Sequence, residues 1–283
     1  VRIDLHAHST CSDGTDDPAV VMRTARAAGL DVVALTDHDT VAGHAAAAAA
    51  LPDGLTLVPG AEVSCALDGV SLHVLGYLFD PAYQPLAAEL ELLRTDRHRR
   101  AEEMVARLRG LGADVSFSRV LALAAGGAVG RPHVARALVE AAVVPDVAAA
   151  FTDEWIGSEG RAYVDKYALD PFRAVSLLND AGGVAVFAHP GAAKRGRVVD
   201  GSVIEGLAAA GLAGIEVDHP DHPVDVRDRL RSLASSLGLL VTGSSDDHGA
   251  ITGHRLGCET TAPAVWAALR ERATGAEPVT EPA

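Results

Sequence analysis

Seven short apolar runs punctuate this chain, and most of them stop at or carry a histidine or an acid. They are Ile3–Leu5, Val32–Leu35, Leu55–Pro59, Leu72–Leu78, Val184–Ala188, Gly214–Val217 and Leu239–Thr242. Val32–Leu35 is continuously apolar, which suits a strand covered on both faces, as in a parallel sheet flanked by helices, whereas Ile3 and Leu5 alternate with polar neighbours. Helix signals lie between them. Asp17-Pro18 opens a segment closed by Gly29, and Asp170-Pro171 opens one that ends at Gly182-Gly183. Further helices are expected at Val41–Ala50, Ser202–Ala210, Val224–Leu237 and Pro263–Ala273. Strands alternating with helices, with polar residues gathered where strands end, predict an α/β barrel.

One stretch breaks the alternation. Leu86–Leu111 reads as a single long helix, followed by helical segments at Ser116–Ala125, Arg131–Glu140 and Asp146–Phe151 with no strand between them. The expected organisation is a discontinuous barrel over 1–84 and 162–273, a helical insertion over 85–161 acting as a substrate cap, and a disordered tail over 274–283. With 48% hydrophobic but only 4% aromatic residues among 283, the core has to be built from Ala, Val and Leu.

A formal charge of -14, from 38 acidic against 24 basic residues, argues against coating long duplex DNA. It leaves room for a small anionic substrate drawn in by local cations. Cys11, Cys65 and Cys258 are scattered, with no Cys-x-x-Cys pair, which fits a reducing compartment better than a disulfide framework. No charge-free apolar run reaches the roughly 18 residues a membrane span needs. The expectation is a cytoplasmic protein without membrane contact.

The histidines then carry the chemistry. In Ile3-Asp4-Leu5-His6-Ala7-His8, a side-chain period of two puts His6 and His8 on one face, where two imidazoles can chelate an ion. Asp13 follows in a Ser-Asp-Gly turn able to fold a carboxylate back to the same place. Later strand ends supply His38, Glu62, His73, His189, Asp246 and His248. All are nitrogen or oxygen donors, a set that suits Mn, Fe or Zn. About four to six ligands saturate one ion, so these nine residues imply two or three divalent ions, with Glu62 the natural bridge.

In sequence, His6-x-His8, Ser12-Asp13-Gly14, Leu35-Thr36-Asp37-His38-Asp39, Pro59-Gly60-x-Glu62, Ala188-His189-Pro190 and Ser245-Asp246-x-His248-Gly249 resemble the motif series of the polymerase and histidinol phosphatase (PHP) family. The resemblance runs in register from residue 1 to about 260 and fills all nine of the family's ligand positions. It implies a distorted (β/α)7 barrel and a trinuclear metal centre, with manganese first among the candidate ions. By that resemblance His6, His8, Glu62 and Asp246 hold one ion, Glu62, His73 and His189 a second, and Asp13, His38 and His248 a third. Gly130-Arg131-Pro132-His133 and Tyr163-Val164-Asp165-Lys166-Tyr167 are similar to the stand-alone members that act on nucleotides. Those include AMP phosphatases, nucleoside 3′,5′-bisphosphate phosphatases and enzymes that trim short RNA from its 5′ end.

Such a cluster suits phosphoester hydrolysis, since ions of this kind activate water near neutral pH and neutralise phosphoryl oxygens. Asp246, His189 and His248 are the candidate catalytic residues. Either histidine could serve the leaving alkoxide, although both are also ligand candidates, so the general acid stays open. Phosphate also calls for cations, and guanidinium can grip it with two bonds where lysine offers a point charge. Arg131, His133 and Arg136 on the insertion, and Lys166 after it, are candidate substrate contacts. The loop after His189 carries Lys194, Arg195 and Arg197, of which Lys194 and Arg197 are carried forward in the same role. His44, His98, His219, His222 and His254 read as ordinary structural or surface histidines.

Three rival readings share some of these features. Amidohydrolases also begin with His-x-His, but their metal pair is usually bridged by a modified lysine, and no lysine precedes Lys166 here. A histidinol-phosphate phosphatase or a cyclic phosphodiesterase would use the same cluster. A non-catalytic scaffold would be expected to have lost ligands, and none is missing.

Overall fold

The computed structural model describes residues 1–281. Its first half runs β1 (Ile3–Asp4), α1 (Pro18–Ala27), β2 (Val32–Leu35), α2 (His44–Ala49), β3 (Thr56–Leu67) and β4 (Val70–Tyr77). Four helices come next: α3 (Gln84–Gly110), α4 (Phe117–Ala124), α5 (Arg131–Glu140) and α6 (Val147–Ala150). The alternation resumes with α7 (Pro171–Asp180), β5 (Val184–Phe187), α8 (Gly201–Ala209), β6 (Gly214–Asp218), α9 (Val224–Leu237), β7 (Leu240–Gly243) and α10 (Pro263–Arg272). The helix starts follow their capping chemistry. Asp17 and Asp170 accept backbone N–H bonds at the N-caps of α1 and α7, with Pro18 and Pro171 in the first turns.

The seven strands form one sheet in chain order. An isolated parallel bridge from Ala7 to Asp247 brings the segment after β1 against the segment after β7, so the sheet curls into a nearly closed barrel. This is the distorted seven-stranded barrel expected from the motif series. Six strands run parallel, whereas β4 is antiparallel to both β3 and β5. The reversal follows from the tight Asp68-Gly69 turn, where both residues take positive φ.

That hairpin changes one expectation. β3 does not stop near Pro59 but continues to Leu67, so Glu62 and His73 sit within strands rather than at strand ends. Glu62 opposes Leu75 and Ser64 opposes His73. Glu62 and His73 are therefore diagonal neighbours on one face, close enough for side chains to meet.

The cores match the composition. Ile3, Leu5, Ala34, Val58, Leu75 and Val186 belong to a buried cluster of barrel-strand residues. A separate cluster that includes Met104, Leu108, Val120, Val134, Leu138 and Ile156 unites α3 to α6. Helix α3 serves both, since Leu86, Leu90 and Leu93 near its start pack with barrel residues.

The C-terminal segment differs from the disordered tail expected of it, although residues 282 and 283 lie outside the described residues. Thr274 and Gly275 donate to Gly182 O, and Ala276 donates to Leu78 O at 2.8 Å. Val279 exchanges two 2.9 Å backbone bonds with Leu57. The cause is an open edge: β4 pairs β3 only from Gly60 onward, leaving Thr56–Pro59 short of partners. We predict that Val279→Pro, which removes the N–H donated to Leu57, lowers stability by about 1–3 kcal/mol. An unchanged melting temperature would show that this strap contributes nothing.

Candidate metal centre

Local backbone geometry aims the ligand candidates inward. Asp39, His189 and Asp246 all take left-handed conformations, with φ of 57°, 31° and 48°. Such angles cost about 1–2 kcal/mol for a residue with a Cβ. They turn the chain sharply where it leaves a strand. Buried Asp4 secures the same rim, accepting N–H bonds from Ser245 at 3.0 Å and Gly257 at 2.8 Å. Asp37 pins the Ser9–Gly14 loop through Ser9 N–H, Ser9 Oγ and Ser12 Oγ at 2.6–2.8 Å.

Glu62 sits at the middle, 1% exposed. Its Oε1 faces His73 Nδ1 at 2.8 Å and His189 Nε2 at 2.9 Å. Its Oε2 faces His38 Nδ1 at 3.0 Å, His8 Nε2 at 3.2 Å and His6 Nε2 at 3.3 Å. Asp246 Oδ1 lies 3.2–3.3 Å from the same two nitrogens of His8 and His6, which are themselves 3.0 Å apart. His248 Nε2 approaches Asp13 Oδ1 at 3.3 Å, and His38 Nε2 approaches Asp13 Oδ2 at 3.8 Å. All nine predicted ligands thus belong to one connected cluster.

Its donors suit metal ions. Asp13 Oδ1, His38 Nδ1, His73 Nδ1 and Asp246 Oδ1 are buried without a hydrogen-bond partner, a costly state unless a cation answers it. Three sets have ligand atoms close enough to hold an ion: His8, Asp13, His38 and His248; His6, His8 and Asp246; and His38, Glu62 and His73. Compared with the groups implied by resemblance, His8 and His38 each reach towards two positions, and His189 enters through Glu62 alone.

Electrostatics point the same way. Burial pushes His73 down to about 3 and His189 down to about 4, with Arg195 adding to the second shift. Both imidazoles are thereby kept neutral, the form that binds metal. Against the opposing effect of burial, Asp246, Glu62 and Glu216 hold His6 well above its ordinary value. Asp246 and Glu62 likewise outweigh burial at His8 and raise it to about 10. The carboxylates make this pocket a strong sink for positive charge.

Two supporting residues escaped the sequence reading. Fully buried Glu216, inside β6, receives His6 Nδ1 at 3.1 Å, the N–H of His189 at 2.8 Å and the hydroxyl of Ser244. Its Oε1 thereby turns Nε2 of His6 towards the cluster, the usual work of a carboxylate behind a ligating histidine. The available signal was an acid inside the apolar run Gly214–Val217. His219, read as ordinary, is fully buried with Nε2 3.3 Å from Asp246 Oδ2.

The expected substrate contacts are dispersed. His133 Nδ1 accepts the Gly130 N–H at 3.0 Å, capping α5. With Arg136, Arg119, Thr10, Gly14 and Thr15, His133 also lines a cavity of about 260 Å³ beside the Asp13 loop. Arg131 and Lys166 are half-buried where the helical segment meets the barrel, over aromatic rings and against Ser71 respectively. Lys194 and Arg197 are exposed. Their neighbour Arg195 is the member of that loop that enters the cluster, 2.6 Å from Asp246 Oδ2 and 2.8 Å from Asp221.

Glu216→Gln keeps the shape of the site but weakens the carboxylate behind His6. We expect a loss of divalent-ion affinity of about 10- to 100-fold, measured by equilibrium metal titration. An affinity equal to the parent's would remove Glu216 from the centre.

Comparison with known proteins agrees with this geometry. A family model for the PHP domain matches residues 4–114. A 3′,5′-nucleoside bisphosphate phosphatase of Chromobacterium violaceum is 34% identical over 278 residues, covering 96% of this chain and 97% of its own. A 5′-3′ exoribonuclease of Haemophilus influenzae is 34% identical over 254 residues, covering 87% of this chain and 90% of its own. Among solved structures, a protein of Bifidobacterium adolescentis assigned to the metal-dependent phosphoesterases superposes with a TM-score of 0.89 at 33% identity, covering 96% of each chain. With its barrel, its His/Asp/Glu cluster and this likeness along nearly its whole length, the chain belongs to the PHP family of metal-dependent phosphoesterases.

Proposed function

We propose that the protein is a phosphatase that hydrolyses phosphomonoesters of nucleotides. Its substrates on this reading are AMP, a nucleoside 3′,5′-bisphosphate or the 5′ end of a short RNA. The observation that carries the metal-dependent part is the Glu62 carboxylate, whose two oxygens face different sets of imidazoles in one buried cluster. Support for nucleotides comes from the names of the bisphosphate phosphatase and exoribonuclease relatives.

In this proposal His6, His8, Asp13, His38, Glu62, His73, His189, Asp246 and His248 hold two or three divalent ions. Manganese is first choice; iron or zinc would accept the same nitrogen and oxygen donors. Bound there, such ions supply Lewis acidity, lowering the pKa of water and neutralising phosphoryl charge. Glu62 spans two positions, and Asp246 offers Oδ1 inward while Arg195 and His219 engage Oδ2. The guanidinium of Arg195 thus stands where a phosphoryl oxygen can meet a fixed cation.

Among the histidines, His189 and His248 keep 9% and 13% side-chain exposure, whereas His6 and His8 have none, so the first pair is the more accessible to the leaving alkoxide. Residues 85–161 act as the cap in this scheme. Two contacts tie that segment to the site: Ala128 N–H to Cys11 O at 2.7 Å, and Arg97 to Asp39 at 2.5 Å. His133 and Arg136, with Lys194 and Arg197 on the outer loop, are proposed to meet the substrate as it enters. The reading places the enzyme in the cytoplasm; no helix among the described residues is long and apolar enough to cross a membrane.

Asp246→Asn is expected to cut phosphate release by more than about a hundredfold while circular dichroism shows an intact fold. Near-normal turnover by that variant would remove Asp246 from the machinery. A Mn2+-supplemented release assay should favour AMP, adenosine 3′,5′-bisphosphate or a short 5′-phosphorylated RNA over histidinol phosphate. The opposite preference would overturn the nucleotide assignment.

A further inference from the structure

Two contacts join the helical segment to the ligand cluster, and both lead to the same ion position. On one side Arg97 of α3 donates through Nε to Asp39 Oδ2 at 2.5 Å and through Nη2 to Ser64 Oγ at 2.8 Å. Asp39 is 1% exposed, accepts the Ser64 N–H at 2.7 Å, and donates its own N–H to Glu62 O at 3.1 Å. Its left-handed backbone directly follows His38, so the bonds that fix Asp39 also fix the ring before it. On the other side Ala128, between α4 and α5, donates to Cys11 O at 2.7 Å. Cys11 lies two residues before Asp13 in the Ser9–Gly14 loop.

The second contact demands glycine. A Cβ at Gly127 would overlap Thr10 O and stand 2.8 Å from the Cys11 carbonyl carbon. Any side chain there forces the two loops apart. Gly130, where α5 begins, is equally close to both partners: a Cβ on it would stand 3.7 Å from Asp13 Oδ2 and 3.6 Å from Arg97 Nη1. The two contacts therefore converge beside the Asp13 carboxylate.

Asp13 and His38 belong to one ligand set, His8, Asp13, His38 and His248. The set of His6, His8 and Asp246 is held from within the barrel instead, by Glu216 behind His6 and by His219 and Arg195 on Asp246. Seating the helical segment thus restricts ligands of the first set and none of the second.

We infer that Arg97 and Gly127 are positioning residues for the ion taken by Asp13, His38 and His248, so that filling this position and seating residues 125–130 stabilise one another. This coupling rests on the metal-centre reading above and gives the helical segment a part in assembling that centre. By linkage, whatever factor the seated loop adds to affinity for the ion, the ion returns to the seating of the loop.

The test uses the full chain, stripped of metal and titrated calorimetrically with Mn2+, with Asp13→Asn marking the binding step that belongs to this position. Gly127→Ala should weaken that step by about tenfold or more and leave the remaining steps at parental affinity. Added to Asp13→Asn, it should change nothing further. Arg97→Gln should weaken the same step, and through His38 the set with Glu62 and His73 as well. Arg97→Lys, which keeps a cation on Asp39, should restore most of the loss. In the reverse direction, Mn2+ should slow amide hydrogen exchange at Ala128 by about tenfold in the parent and leave it unchanged in Asp13→Asn. A Gly127→Ala titration equal to the parent's, a loss spread evenly over every step, or Ala128 exchange indifferent to Mn2+ would overturn the coupling. If Gly127→Ala fails to fold, the Arg97 pair and Ala128 exchange decide. Failure of the parent to bind any divalent ion would overturn the metal-centre reading itself. Absence of phosphate release from a protein that shows the coupling would overturn the phosphatase reading and leave the coupling standing.

Discussion

The structure depends on keeping a buried carboxylate among imidazoles. Glu62 is 1% exposed and touches His6, His8, His38, His73 and His189, residues drawn from β4 and from the ends of three other strands. A carboxylate in such a place must be matched by positive charge or by strong hydrogen bonds. Much of the surrounding architecture serves that requirement. The β3–β4 hairpin carries Glu62 and His73 inward on one face. The left-handed turns at His189 and Asp246 swing their side chains back over the barrel mouth.

Behind the ligands stands a layer of carboxylates and hydroxyls that hold rather than bind. Glu216 orients His6, Asp37 fixes the loop bearing Asp13, and Asp4 ties β1 to the loop after β7. A cluster of like donors is stable only when each ring and carboxylate has one permitted orientation, and hydrogen bonds from behind supply that restriction. The helical segment is organised differently. It has its own apolar core and reaches the site through the Arg97–Asp39 pair and the Ala128–Cys11 backbone bond.

The barrel was legible because its strands are short apolar runs and its helices start at acid-proline caps; both signals are local. The nine ligand candidates were legible for the same reason, since each lies in a short motif beside a strand. Arg195 and His219 were not, because nothing local separates an arginine that reaches a buried aspartate from one in solvent. Glu216 left a faint trace as an acid in an apolar strand. The extent of β3 was misjudged because Gly60-Ala61-Glu62 looks like a strand end, and only pairing with β4 carries the strand onward. The tail was misjudged because its composition is that of a loose end, while its order comes from an unfilled sheet edge far away in sequence.

By itself, then, the sequence determined the fold class, the donor set and the kind of chemistry those donors can support. Each follows from residue types at short spacings. Tertiary structure alone decided which oxygen of Glu62 faces which histidines, and that Arg195 rather than Lys194 or Arg197 enters the cluster. These are relations between residues tens to hundreds of positions apart. Their energies depend on burial and distance, which exist only once the chain has closed on itself.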